Sequence, residues 1–138
     1  MTSERNRAAD PAGDLSLQQR RALLETDANP GHALDYLNTL TGSVGNADSI
    51  TLRYVPDKVT LRPAAFSAYL ESLAALTAQP LEQLAITIIE DVDNEVVPRW
   101  VEIAAERNDG VSAVHRVLVE DRQPNWDNPG LLARLERF

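Results

Sequence analysis

A chain of 138 residues with 43% hydrophobic and 25% charged residues has the length of one domain and the composition of a globular protein. Its formal net charge of −8 disfavours non-specific binding to nucleic acid, and its lack of cysteine excludes disulfides, thiolate metal sites and cysteine nucleophiles. No run of about 18 apolar residues is present, and the N-terminus lacks the apolar core of a signal peptide. The sequence therefore predicts a cytoplasmic protein that does not bind membranes.

The N-terminal segment differs in character from the rest of the chain. Residues 1–24 predict a flexible tail, and residues 25–138 predict a single domain. The tail is polar, contains Pro11 and Gly13, and shows little periodicity, so burial cannot offset the entropy of ordering it. A short helix within DLSLQQRRALLE is compatible with this reading.

The domain begins with two strand candidates. The segment 33–41 (ALDYLNTLT) predicts a first strand, and GSVGNADS, 42–49, predicts a loop because its residues tolerate positive φ. ITLRYVP, 50–56, alternates between apolar and polar residues and predicts the second strand of a hairpin. Pro56 and Pro63 then bracket a short extended piece.

The spacing of apolar residues then changes from that of a strand to that of a helix, which predicts two helices. The first is predicted by the helical spacing of Phe66, Tyr69, Leu70, Leu73 and Leu76. Pro80 suits the first turn of a second helix, since proline lacks an N–H that would be unsatisfied there. Residues 80–94 carry an apolar stripe of Leu81, Leu84, Ala85, Ile88, Ile89 and Val92.

The last two strands complete a ββααββ order. Residues 97–107 alternate, Asn108–Gly110 is a turn signal, and residues 111–120 predict the returning strand. The sequence therefore predicts an α+β fold, in which a four-stranded antiparallel sheet carries both helices on one face. Subunits that meet sheet edge to sheet edge would cover the other face.

Four stretches of the chain match a known family in order. They are LLETDANP (23–30), YVPDK (54–58, with Tyr69–Leu70 downstream), LEQLAITIIEDV (81–92) and VPRWVEIAAERN (97–108). Together they resemble the nitrile reductase family of queuosine biosynthesis, which reduces 7-cyano-7-deazaguanine with NADPH. The resemblance implies the tunnelling fold and a homo-oligomer with ligand pockets between subunits.

The chain departs from that family at the residues of its chemistry. The resemblance implies a cysteine that attacks the nitrile to form a thioimide, with an aspartate nearby as proton donor, yet this chain has no cysteine. The loop 42–49 replaces a much longer connection. The family's NADPH-binding run reads LRPAAFS here, with Arg62 in place of a glutamate. Because no other side chain here replaces a thiolate, we expect no nitrile reduction and no cofactor.

Binding residues remain as candidates. The resemblance implies that Glu82, at the start of the second helix, accepts bonds from the N–H and amino edge of a guanine-like ring. The alternative is a first-turn glutamate favoured by the helix dipole. Arg62 is a candidate contact for an anionic ligand, and an ion-paired surface arginine is the alternative.

Two residues are candidates for proton transfer. Histidine titrates near neutral pH, which makes His115 a possible general acid or base, although packing or surface exposure also explains such a residue. Asp48 lies in the replacement loop, near the position that the resemblance implies for the proton donor. No spacing of histidine and carboxylate residues predicts a metal site.

The sequence leaves several functions open. The first is a small-molecule enzyme with non-covalent acid/base chemistry, which binds a purine-, deazaguanine- or pterin-like heterocycle between subunits. The second is a non-catalytic binding or assembly protein on the same fold, so whether the chain is an enzyme is undecided. A third is an unrelated α+β fold with a false resemblance.

Overall fold

The computed structural model describes residues 15–111 and 113–135. Its helices are α1 (Leu17–Ala22), α2 (Pro63–Glu71), α3 (Leu81–Val96) and α4 (Pro129–Leu132), with a 3₁₀ turn at Ala74–Ala78. Its strands are β1 (Thr26–Ala28), β2 (Asn38–Val44), β3 (Asp48–Val55), β4 (Val59–Leu61), β5 (Trp100–Arg107) and β6 (His115–Arg122). Among these residues no helix is long and apolar enough to span a membrane.

One antiparallel sheet forms the centre of the molecule. Its strand order is β2-β3-β5-β6, and β1 pairs with β4 in a separate two-stranded ribbon. Both helices α2 and α3 lie between the two hairpins in the chain, as the ββααββ order predicts. The α+β class and the four-stranded antiparallel sheet are therefore confirmed.

The core lies between the sheet and the two long helices. Ile50, Leu52 and Tyr54 on β3 face the same side as their partners on β5, because directly opposite residues share a face. All three are almost completely buried, and they join the apolar faces of α2 and α3 in one cluster. At Gly42 on β2 an added Cβ would lie 2.6 Å from Leu70 Cδ1, so α2 approaches the strand closely there.

Helix α3 follows the predicted apolar stripe. Its buried side chains include Leu81, Leu84, Ala85, Ile88, Ile89 and Val92. It runs two residues beyond the predicted end at 94 and stops at Val97, which has a φ of 48°. A β-branched residue rarely adopts this left-handed conformation. The helix end is therefore a strained position.

The first hairpin begins later than the sequence predicts. Strand β2 starts at Asn38 rather than Ala33, and the predicted loop 42–49 contracts to a tight turn around Gly45, whose φ is 62°. The polar side chains of β2 lie on the exposed side of the sheet. Strand β2 pairs with β3 through backbone hydrogen bonds, and these form without any apolar side chain. Strand β6 likewise occupies residues 115–122 rather than 111–120.

The predicted flexible tail is corrected over its described part. Helix α1 begins with a capping box between Ser16 and Gln19. Arg20 and Arg21 both donate to the fully buried carboxylate of Asp91 on α3, with Nε–Oδ distances of 2.8 and 2.6 Å. This long-range ion pairing leaves no periodic signal, which is why the sequence missed it. Residues 1–14 of the predicted tail lie outside the described residues.

Candidate functional site

Three of the four predicted site residues meet at one end of the sheet. Asp48 begins β3 opposite Arg107, the last residue of β5, and Arg107 in turn lies opposite His115, the first residue of β6. Glu82 lies in the first turn of α3, which packs on β5 and β6. The antiparallel register thus brings together side chains that are up to 67 positions apart in the chain.

Glu82 and His115 form an accessible acid–base pair. Glu82 Oε2 lies 3.7 Å from His115 Nε2, and the two side chains are 57% and 47% exposed. Ile86, one turn further along α3, and Val114 beside His115 are also exposed. A ligand that binds to this pair would therefore contact a carboxylate and an imidazole.

Arg107 holds Asp48 and the start of α3 together. Its Nε and Nη2 atoms donate to the two carboxylate oxygens of Asp48 at 2.7 and 2.8 Å, and its Nη1 donates to the carbonyl of Gln79 at 2.8 Å. The hydrogen bond to Asp48, and the nearby charge of Glu82, raise the pKa of Arg107 above its ordinary value. Asp48 is only 1% exposed, so it is placed to position this end of the sheet rather than to contact a ligand.

Sequence reasoning did not identify Arg107. The residue ends an alternating strand, where a solvated charge is the ordinary expectation. Its role follows only from the register that places it opposite Asp48.

Arg62 is not brought into this group. It precedes α2, where Nε and Nη2 donate to Asp27 Oδ1 at 3.0 and 2.9 Å, and it also contacts Glu25 at 3.3 Å. The hydrogen bond from Arg62 lowers the pKa of Asp27. Its described interactions are therefore those of an exposed surface ion pair beside the β1–β4 ribbon.

The Glu82–His115 pair lies on an open surface of the chain. Two cavities of about 450 and 520 Å³ are lined by other residues, one around Trp126 and Gln123 and one between α1 and α3. Among residues 15–111 and 113–135 no group of three or more histidine and acidic side chains could hold a metal ion. What the pair offers is hydrogen bonding and proton transfer.

Comparisons with known proteins add a relative. No family model matches the chain. The NADPH-dependent 7-cyano-7-deazaguanine reductase of Nitrosococcus oceani is 30% identical over 119 residues, which cover 79% of this chain and 92% of the relative. The chain belongs to the 7-cyano-7-deazaguanine reductase family. This chain contains no cysteine.

Three of the four stretches that resemble the 7-cyano-7-deazaguanine reductases meet at the opposite end of the sheet. Asn29 Nδ2 donates to the carbonyl of Asp57 at 2.8 Å, and Arg99 Nη2 lies 3.3 Å from Asp57 Oδ1. A hydrogen bond from Gln123, followed by the charge of Arg99, lowers the pKa of Asp57. Arg99 also donates to the carbonyl of Leu34 at 2.8 Å. These residues therefore join loops at one end of the sheet, and Glu82 lies near the other end.

Proposed function

We propose that this family member binds a purine-, deazaguanine- or pterin-like heterocycle through Glu82 and carries out non-covalent acid/base chemistry, rather than nitrile reduction. The site would lie between subunits of a cytoplasmic homo-oligomer, with a single tunnelling-fold domain in each subunit. The observation that carries the proposal is the pairing of an exposed carboxylate with an imidazole 3.7 Å away at the start of α3.

The chain lacks the nucleophile that nitrile reduction requires. Formation of a thioimide requires a thiolate, and the chain contains no cysteine to supply one. Arg62 lies where the resemblance implies a cofactor-binding glutamate, and it is engaged with Asp27 and Glu25. The proposal therefore includes no redox step and no bound nicotinamide.

The remaining side chains suit recognition and proton transfer. A carboxylate accepts two adjacent N–H donors at once, which matches the N–H and amino edge of guanine-like rings. The imidazole of His115 is close enough to exchange a proton with a ligand held by Glu82. Asp48 contributes by positioning, because Arg107 links it to the carbonyl that precedes α3.

A neighbouring subunit is needed to enclose such a ligand. Small-molecule sites bury most of the ligand surface, whereas Glu82 and His115 are about half exposed in a single chain. The second candidate function is a non-catalytic binding or assembly protein on the same fold. It is favoured by the engagement of Asp48 with Arg107, which removes one of the two predicted proton carriers.

The proposal is tested by ligand-induced stabilisation. The melting temperature would be measured with guanine, 7-cyano-7-deazaguanine, pterins, GTP and NADPH, for the wild type, Glu82→Gln and Glu90→Gln. A ligand at 100 times its Kd adds about 2.7 kcal/mol to the free energy of unfolding. We expect a heterocycle to stabilise the wild type and the Glu90→Gln control, an exposed carboxylate on the same helix, but not Glu82→Gln.

The same panel separates the two functions. If a heterocycle binds, His115→Ala should retain binding, and mass spectrometry of the incubated ligand reports whether the wild type converts it. Conversion that His115→Ala abolishes supports an enzyme. Binding without conversion supports the non-catalytic alternative, and no stabilisation by any compound rejects the heterocycle site.

A further inference from the structure

A cavity separate from the acid–base pair lies between helix α1, the 3₁₀ turn and helix α3. Its volume of about 520 Å³ is within the range of small-molecule sites, roughly 300 to 1,000 Å³. Its lining residues come from all three elements and include Leu17, Leu76, Gln83, Thr87 and Glu90. Neither Glu82 nor His115 is among the residues that line it. The cavity therefore offers a second place where a ligand can bind.

Three of the lining residues form one face of α3. Gln83, Thr87 and Glu90 are spaced four and three positions apart, which makes them neighbours along the surface of a helix. Gln83 Nε2 donates to Thr87 Oγ1 at 3.3 Å, and Glu90 follows about one turn later. This face therefore presents a carboxamide, a hydroxyl and a carboxylate in a row.

Thr87 is the buried member of this face, and it is only 9% exposed. Among residues 15–111 and 113–135 its Oγ1 makes one hydrogen bond, which it accepts from Gln83. The O–H of Thr87 thus has no acceptor in this part of the chain, whereas Thr77 donates to the carbonyl of Ala74 at 2.8 Å. A buried polar group without a partner costs free energy. A ligand oxygen that accepts from Thr87 would remove that cost.

Glu90 supplies an unpaired negative charge on the same face. Its side chain is exposed and has no ion pair or hydrogen bond within the described part of the chain. The next residue, Asp91, is instead neutralised by Arg20 and Arg21. Arg20 also lines the cavity, and its Nε and Nη2 atoms donate to Asp91. A carboxylate without a partner favours a ligand with an ammonium group, because charge-assisted hydrogen bonds are the stronger ones.

The remaining walls are apolar. Leu17 is 44% exposed although it is a large apolar side chain, and Leu76 adds a second apolar contact. A complementary ligand thus carries an ammonium group, an oxygen acceptor and an apolar group. Side chains three positions apart on a helix have Cβ atoms about 5 to 6 Å apart. The adjacent amine and carbonyl of an α-amino amide match that spacing once a hydrogen bond is added at each end.

We propose that this cavity binds a small organic cation of the α-amino amide class that has an apolar side chain. Its ammonium group donates to Glu90, its carbonyl oxygen accepts from Thr87, and its side chain packs against Leu17. The site goes beyond the proposed function, because it shares no residue with the Glu82–His115 pair and stands whether or not a heterocycle binds there.

Three small molecules test the assigned contacts. Leucinamide is the probe, 4-methylpentanamide lacks its ammonium group, and 3-methylbutylamine lacks its carbonyl. Binding would be followed by NMR of the ¹⁵N-labelled full chain at pH 6.5, where an α-amino group with a pKa of about 7.7 to 8.0 is protonated. We expect saturable shifts of the amide signals of residues 83–90. The Kd of 4-methylpentanamide should be at least about tenfold higher than that of leucinamide, and that of 3-methylbutylamine about two- to tenfold higher.

Two variants remove the same contacts from the protein. Glu90→Gln should bind leucinamide and 4-methylpentanamide equally, and Thr87→Val should bind leucinamide and 3-methylbutylamine equally. Glu71→Gln, an exposed carboxylate on α2, is the matched control and should keep the wild-type affinities. Because Glu82 is unchanged in all three variants, the failure of this site and the failure of heterocycle binding are distinguishable.

Hydrogen exchange gives a second readout. The ligand would join Leu17 on α1 to Thr87 and Glu90 on α3, in addition to the ion pairs with Asp91. Saturating leucinamide should therefore slow amide exchange in Leu17–Ala22 of the wild type. The same concentration should leave exchange in that helix unchanged in Glu90→Gln.

Several results would overturn this site. Leucinamide that causes no saturable shift does not bind, and shifts centred outside α1, the 3₁₀ turn and α3 place it elsewhere. Equal affinity of the wild type for leucinamide and both analogues would show that neither Glu90 nor Thr87 contacts the ligand. That comparison needs no variant, so it decides the outcome even if Thr87→Val does not fold.

Discussion

Arg107 donates to both carboxylate oxygens of Asp48, and this pair joins the end of β5 to the start of β3. A lysine cannot reproduce this two-pronged contact, although it keeps the charge. The same guanidinium also reaches the carbonyl of Gln79, just before α3. The position of Glu82 relative to His115 thus depends on a residue that need not contact a ligand.

We expect Arg107→Met to destabilise the fold by about 3 kcal/mol, because it leaves the buried carboxylate of Asp48 without a countercharge. Arg107→Lys should cost less, about 1 to 2 kcal/mol. Urea unfolding at pH 7 measures both. Arg134→Met, which removes an exposed arginine bonded to one carbonyl, is the matched control and should change the free energy of unfolding little. Equal effects at both positions would contradict the assigned role.

Gly42 should not tolerate a side chain. A Cβ there would lie 2.6 Å from Leu70 Cδ1 in the packed core, and overpacking of this kind typically costs about 1 to 3 kcal/mol. Urea unfolding of Gly42→Ala, Leu70→Val and the double variant tests the contact. The double variant should be more stable than the sum of the single effects predicts. Gly130→Ala, on helix α4 with no close neighbour, should be neutral or stabilising, and a similar loss there would count against the argument.

Stability should fall as the pH rises toward neutrality because of Asp93. Burial, followed by a hydrogen bond with Asp121, raises the pKa of Asp93 from 3.8 to about 7. The folded state then binds a proton more tightly than the unfolded state, so this contribution is complete below about pH 4 and is lost as the pH rises through about 7. Urea unfolding from pH 5 to 8, at fixed protein concentration, measures it.

Asp93→Asn should remove that part of the pH dependence and make the protein more stable than the wild type at pH 8. Glu71→Gln changes an exposed carboxylate at the end of α2 and should leave the dependence intact. A wild-type slope that survives in Asp93→Asn would assign the titration to another group.

Helix α1 should depend on its ion pairs with α3. Arg20→Met removes one of the two arginines that neutralise buried Asp91, and Tyr69, which also donates to Asp91, cannot replace the charge. We expect faster amide hydrogen exchange in Leu17–Ala22 and a loss of about 2 to 4 kcal/mol in the free energy of unfolding. Unchanged exchange would show that other contacts hold α1.

How much the sequence could predict differs between elements. Helix α3 was predicted well because its apolar stripe has a clear helical period. The predicted bounds of strand β2 were wrong because Thr39, Thr41 and Ser43 make it a polar strand, which the backbone pairs with β3 without an apolar pattern. Glu82, Asp48 and His115 were identified as single residues. Their proximity depends on the strand register, which no local pattern specifies.

Val97, the strained residue that ends α3, lines a cavity together with Asp57, Gln123 and Trp126. Its carbonyl accepts a hydrogen bond from Gln123, and its side chain is 56% exposed. A glycine would fit this backbone with about 1 kcal/mol less steric cost. Strain at the end of α3 therefore lies far from Glu82, so Val97→Gly would change the backbone energy of this end of the protein and leave the Glu82 end unaltered.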